Sequence, residues 1–191
     1  ECQAVCEHVH LPLQSGSARI LKAMRRTYDP ERYLRLVERL RAAVPDLALG
    51  TDLIVGFPGE TEADFQATLD LVAEVRFDSA YTFVFSPRRG TEAAELPDQV
   101  PEEVKRERME RLVALVQRIA AERNAERVGR VEEVLVEGPS RTDPSRPRGR
   151  TRRHTTVVFS GAAAPGELVP VRIEGATSTT LRGRLAVAAV A

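Results

Sequence analysis

Residues 51–61, TDLIVGFPGET, constrain this chain more than any other stretch. The apolar run Leu53-Ile54-Val55 breaks at Gly56, and Phe57-Pro58-Gly59 makes a tight turn. Glu60, Thr61 and Asp64 then open a helix, with Thr61-x-x-Asp64 spaced as a capping box. The pattern predicts a buried parallel strand feeding a glycine-rich βα loop, the place where α/β proteins put ligands.

The flanking sequence alternates in the same way. Residues 9–13 read as a strand that Pro12 ends or holds at a rim, followed by the polar loop Gln14-Ser15-Gly16. A helix starts near Ser17, with Ile20, Leu21 and Met24 on one face and Lys22, Arg25 and Arg26 on the other. Asp29-Pro30-Glu31 supplies an N-cap, a first-turn proline and an acid for a helix to about Ala43. A strand over 47–55, a helix over 64–75 burying Phe65, Leu69 and Val72, and a strand over 80–85 complete the series. Alternation of this kind implies parallel βα units. Three strands cannot close a barrel, and the sequence lacks an initiator Met, so further units are expected upstream. From Pro101 to about Arg127 a long amphipathic helix is predicted, and its Arg/Glu-rich outer face reads as solvated.

At Gly129 the period changes to two. Short strands are predicted over 131–137, 155–159, 168–173 and 181–187, punctuated by Gly, Pro and Ser. A unit of this length with so many short strands suits a small barrel, which closes its edges. The expected organisation is therefore residues 1–128 as an α/β unit and 129–191 as an all-β unit. Charge is segregated between them: the formal net charge is zero, yet residues 1–128 carry 18 basic and 22 acidic groups and residues 129–191 carry 10 and 6. The tail is the better candidate for a polyanion partner. No window approaches the run needed for a membrane-spanning helix, no secretory signal pattern is visible, and two cysteines make no disulfide framework and suit a reducing cytoplasm.

Three groups of residues could carry chemistry. Cys2 and Cys6 are four apart, with Val9 where a C-x3-C-x2-C iron–sulfur set needs its third cysteine; they read as small core residues, and no metal site is expected in this chain. Gln14, Arg26 and Asp52 each lie near the C-terminal end of a strand or on the following helix, positions that converge on one rim of a barrel. There an amide, a guanidinium and a carboxylate could hold a ligand bearing a carboxylate and hydroxyls, while a solvated Arg26 and a loop-capping Asp52 account for the spacing as well. Gly56 permits close backbone approach, and Phe85 and Ser86 could offer a face to a flat base, a core role for Phe85 being the alternative. Residues 141–154, RTDPSRPRGRTRRH, contain six Arg and read as a basic loop between strands, able to meet RNA phosphates or simply to be solvated. The candidate contacts are Arg141, Arg146, Arg148, Arg150, Arg152 and Arg153, with Arg182 and Arg184 nearby in the last strand.

HLPLQSGS (10–17), MRRTY (24–28), DLIVGFPGET (52–61), FSPRRGTEAA (85–94), LVEGPS (135–140), GRT (149–151) and LRG (181–183) together resemble the C-terminal part of the radical-SAM methylthiotransferases, in order and over essentially the whole chain. The resemblance implies the C-terminal half of a partial (β/α)6 radical-SAM barrel followed by a TRAM barrel that binds RNA. It implies S-adenosylmethionine and two 4Fe-4S clusters, with methylthiolation of C2 of an isopentenylated adenosine beside the tRNA anticodon. An electron donor such as flavodoxin or ferredoxin, a monomer and a cytoplasmic location go with it. By the same resemblance, Gln14, Arg26, Asp52, Ile54, Gly56, Phe85 and Ser86 are cofactor-binding. Cys2 and Cys6 do not match the cluster cysteines, so no catalytic residue is expected here, the cluster ligands are expected upstream, and the segment should be inactive alone. The competing readings are the related enzyme for threonylcarbamoyl-adenosine and a non-catalytic RNA-binding piece.

Overall fold

The computed structural model describes residues 5–186. The described residues divide into two compact units, one formed by Val9–Ile119 and the other by residues 5–8 with 120–186.

In the first, a three-stranded sheet has the order β1-β2-β3: β1 (His8–His10), β2 (Ala48–Val55) and β3 (Ser79–Val84). β2 and β3 run parallel, with Asp52 beside Tyr81 and Ile54 beside Phe83. Pro12 explains why β1 is so short. It has no N–H for the ladder, and the Thr51 hydroxyl bridges the break, accepting from Leu13 N–H at 3.0 Å and donating to Leu11 O at 2.9 Å. Pairing resumes at Gln14, which forms a parallel bridge with Leu53.

Helices cover one face of this sheet. α1 (Ala18–Ala23) is capped by Ser17, α2 (Pro30–Ala43) by Asp29, and α3 (Glu62–Val75) by Thr61 in a complete capping box with Asp64. Caps of this kind each stabilise by about 1 kcal/mol. The period of β2 sends Leu49, Leu53 and Val55 into a core with Tyr33, Val37, Phe65, Val72 and Leu112. Leu69, expected inside, is only partly buried, and Leu71 and Val75 take that place. The opposite face stays open: Tyr81 and Phe83, alongside Asp52 and Ile54, are 63% and 51% exposed. A short helix α4 (Glu92–Glu95) that periodicity missed and the long α5 (Glu102–Ala125) follow. Among the described residues, no helix is long and apolar enough to cross a membrane.

The second unit contains a closed barrel of order β4-β5-β6-β8-β7: β4 (Val131–Pro139), β5 (Pro147–Thr151), β6 (Thr156–Ser160), β7 (Leu168–Ala176) and β8 (Thr180–Leu185). Alternate residues Val134, Val136, Val157, Phe159, Val171, Ile173 and Leu181 fill it. One expectation is corrected here. The basic run is not simply a loop, because residues 147–151 form β5, paired with β4 and β6; Gly and Pro content hid a strand whose Arg side chains alternate with buried Gly149 and Thr151. The last residue of the expected 181–187 strand, Val187, lies outside the described residues, as does Cys2.

Candidate functional site

The loop after β2 is held from several sides. Gly56 and Gly59 have φ of 75° and 77°, the left-handed region that glycine enters at little cost. At Gly56 a Cβ would lie 2.4 Å from Lys105 Cγ. Gly56 N–H donates to Glu60 Oε2 at 2.8 Å, and Gly59 N–H to Asp98 O at 2.8 Å. Asp64 ties this loop to the one after β1: it accepts from Ser17 Oγ at 2.6 Å, from Arg19 and from Thr61 N–H at 2.9 Å. Burial alone would raise the Asp64 carboxyl, but the hydrogen bonds from Arg19, Ser17 and Thr61 together outweigh it and hold it well below the ordinary carboxylate range.

Gln14 sits at φ 69°. Its N–H donates to Asp52 O at 2.8 Å, and its carbonyl accepts from Ile54 N–H at 2.9 Å. Asp52 lies on the open face of the sheet, its Oδ1 3.1 Å from His10 Nε2. Beyond the strand ends is a cavity of about 530 Å³ that brings Arg26, Ile54 and Phe85 together with Met24 and Phe57. Phe57 and Phe85 meet edge to face at 5.1 Å. Arg25, also on the rim, is ion-paired with Glu92 of α4, whereas Arg26 is exposed and makes no ion pair among the described residues. Gly56 and Ser86 each adjoin a lining residue in the chain. Gln14 and Asp52 do not line this cavity; Gln14 reaches it only through its main-chain bond to Ile54.

A second cavity, about 580 Å³, lies between residues 11–12 and α2 and holds none of the expected residues. Its tyrosine hydroxyls are already engaged, Tyr33 donating to Leu11 O at 2.7 Å and Tyr28 to Pro12 O at 3.0 Å. Burial pushes the Tyr33 phenol up strongly. Arg32, Arg35 and Arg39 also line this space, but it brings together none of the expected residues, and the first cavity is the better candidate.

The first cavity suits S-adenosylmethionine. Its size falls within the range of small-molecule sites, two aromatic rings and Ile54 offer an apolar wall for a flat base, and a guanidinium without an acidic partner among the described residues faces it for a carboxylate. An iron–sulfur cluster does not fit: among the described residues no group of three His, Cys, Asp or Glu could hold a metal, and Cys6 is exposed. His8 stands 5.0 Å from the His154 ring, and His10 faces Asp52.

Most arginines expected at the nucleic-acid face have acidic partners. Arg148 and Arg150 share Glu137, at 2.7 and 3.1 Å. Arg146 pairs with Asp143 at 3.1 Å, and Arg184 with Glu174 at 2.9 Å. Arg152 binds Glu7 at 2.8 Å and the Val5 carbonyl at 2.8 Å; the Glu7 hydrogen bond raises its already high pKa. Arg153 is buried. Only Arg141 and Arg182 of the eight are exposed without an ion pair among the described residues.

Sequence reasoning missed Lys105 and Arg108. It predicts a solvated outer face for α5. Glu107–Arg111 is indeed an exposed pair at 3.0 Å, but Lys105 and Arg108 are buried. Their spacing of three, in register with Leu112, was the available signal.

The fold is a parallel βα segment followed by a small closed barrel. Residues 2–72 match the Radical SAM superfamily model, and residues 125–186 match the TRAM domain model. A Radical SAM segment and a TRAM domain thus occur in one chain. It is 55% identical over 182 residues to a protein of Moorella thermoacetica, 53% identical over 186 residues to one of Alkaliphilus oremlandii and 56% identical over 181 residues to one of Geobacillus thermodenitrificans. Each of these is named tRNA-2-methylthio-N(6)-dimethylallyladenosine synthase. The matches cover 94% to 97% of this chain but only 35% to 41% of those relatives. The Radical SAM match implies S-adenosylmethionine and iron–sulfur chemistry.

Proposed function

We propose that this chain contributes one wall of an S-adenosylmethionine site and an RNA-binding barrel to a longer cytoplasmic enzyme that methylthiolates C2 of an isopentenylated adenosine next to the tRNA anticodon. The observation that carries this reading is the cavity at the strand ends, where Arg26, Ile54 and Phe85 converge. The relatives' name states the same modification, and a TRAM domain beside a radical SAM segment suits a tRNA substrate.

The roles follow from the side chains. Arg26 binds the cofactor carboxylate, Ile54 and Phe85 hold the adenine by apolar contact, and the Gly56 and Ser86 main chain lies alongside. Gln14 and Asp52 stand next to this wall and orient the ribose hydroxyls. S-adenosylmethionine supplies radical chemistry when bound with a reduced cluster. The ligands of the two 4Fe-4S clusters belong to sequence outside this chain, and so no catalytic group is assigned here. The boundary between the catalytic and RNA-binding parts falls at 128/129. Electrons come from a flavodoxin- or ferredoxin-like donor, and the enzyme works as a monomer.

The test uses the full-length protein with reconstituted clusters. Arg26→Ala is expected to weaken S-adenosylmethionine binding in equilibrium dialysis and to leave tRNA affinity intact. Loss of tRNA affinity instead reassigns Arg26 to the substrate. Nucleoside mass spectrometry of tRNA from a deletion strain should lack the 2-methylthio group on isopentenyladenosine; its presence refutes the assignment.

A further inference from the structure

The first turns of α5 bring two cations under the Gly56 loop. Arg108 Nη1 donates to Glu60 Oε2 at 2.8 Å and to Glu60 O at 3.0 Å. Both side chains are shielded, at 5% and 1% exposure. The same oxygen, Glu60 Oε2, accepts the Gly56 N–H at 2.8 Å. One carboxylate oxygen thus joins a helix, through Arg108, to the peptide that ends β2.

Lys105, one turn earlier, meets the same wall. Its aliphatic stem packs against Gly56, where a Cβ would lie 2.4 Å from Cγ. Its Nζ stands 5.9 Å from the Phe85 ring centroid and pairs with Glu102 at 2.7 Å. The helix therefore touches both Gly56 and Phe85, which flank the cavity from two different strands.

Stability alone accounts poorly for this arrangement. Replacing a buried ion pair by apolar residues is often neutral or stabilising, whereas removing one partner leaves a costly buried charge. Nor is the pair fully satisfied, since Glu60 Oε1 and Arg108 Nε lack a hydrogen-bond partner among the described residues. What the pair does hold is the direction of one peptide. Gly56 is in a left-handed conformation with no side chain to anchor it, and Glu60 Oε2 is the acceptor for its N–H.

We infer that Glu60 and Arg108, with Lys105 beside them, are positioning residues for the adenosine end of the cofactor: they set the Gly56 peptide and the Phe85 ring from the side away from the ligand. This rests on the S-adenosylmethionine reading above and extends it to a helix that matches neither family model over its first half.

The experiment measures S-adenosylmethionine and tRNA affinities of the full-length, cluster-reconstituted protein. Glu60→Leu with Arg108→Met replaces the pair by apolar side chains and leaves neither partner behind as an unpaired buried charge. It should fold, by its far-ultraviolet spectrum and unchanged tRNA affinity, yet bind S-adenosylmethionine about tenfold more weakly, the size of one lost buried hydrogen bond. Arg108→Lys keeps the charge on a shorter side chain without the planar guanidinium, and should fall between that variant and the parent. This second variant decides the matter if the first does not fold. Parental cofactor affinity in whichever of the two folds overturns the inference and leaves the pair purely structural. A parent protein that binds no S-adenosylmethionine overturns the cofactor reading, and this inference with it.

Discussion

Gln14 and Ile54 are joined main chain to main chain, the Ile54 N–H donating to Gln14 O at 2.9 Å while Gln14 holds φ 69°. A non-glycine residue in that region costs roughly 1–2 kcal/mol, and the two hydrogen bonds to the β2 strand keep it there. Gln14→Ala and Gln14→Gly lose the same side-chain atoms beyond Cβ but differ in this backbone cost. The glycine variant should therefore be the more stable of the two by about 1 kcal/mol, read as a higher urea midpoint. Equal midpoints would mean that the left-handed conformation carries no strain.

The barrel offers a sharper contrast between two glycines. Gly183 lies opposite Ile173, next to the register shift in β7, and a Cβ on it would stand 2.3 Å from the Arg172 carbonyl oxygen. Gly175, on the far side of that shift, faces open space. Gly183→Ala should cost about 1–3 kcal/mol, whereas Gly175→Ala should change stability by less than about 0.5 kcal/mol. Thermal melts of the two variants test this, and equal losses would refute the close approach. Gly149 stands in the same relation to β4, beside its own shift, where a Cβ would lie 2.2 Å from Leu135 O. The glycines of the GRT and LRG motifs are thus explained by strand approach in the barrel and need no ligand.

The βα alternation, the capping box at Thr61 and Asp64, and the change of period at Gly129 were legible because each rests on neighbours in sequence. Pro12 and the GFPGE turn likewise announced their local geometry. What could not be read was pairing across distance. Glu137 lies 11 and 13 residues from Arg148 and Arg150, and Glu7 lies 145 from Arg152, so a basic run that looked uniformly available is mostly engaged. Lys105 and Arg108 were hidden for the same reason: their burial depends on Gly56 and Glu60, 48 residues away in the case of the ion pair. β5 was missed because its Pro and Gly imitate turn composition, although Gly149 is there to let strands approach.

Asp64 predicts a pH dependence with a definite sign. Its folded-state carboxyl is held below the ordinary range, so the ionised form favours the folded state. That contribution is complete above the unfolded value near 3.9 and is lost only as pH falls through the lower folded value. Asp64→Asn should be less stable than the parent by about 1 kcal/mol or more at pH 7, the worth of a helix cap. The gap should persist at pH 5 and close in strong acid. A gap that instead widened as the pH fell would contradict the network of Arg19, Ser17 and Thr61 around this carboxylate.

Glu137 makes a prediction opposite to the usual one for an acidic residue near a basic surface. It occupies two guanidinium groups, those of Arg148 and Arg150. If the barrel binds tRNA through phosphates, Glu137→Gln frees both groups, so affinity should rise. The dependence of log affinity on log salt should steepen by about 0.7–0.9 for each additional phosphate neutralised. Glu167→Gln is the control, because it removes the same charge from the same barrel while Glu167 caps only the Ala164 N–H, at 2.8 Å. A general charge effect would move both variants alike, whereas released arginines would move only the first. Arg182→Ala, which removes a cation without an acidic partner among the described residues, should shift affinity and slope the other way. An unchanged slope in Glu137→Gln would place the RNA away from β5, with Arg182 and Arg141 as the remaining candidates for phosphate binding.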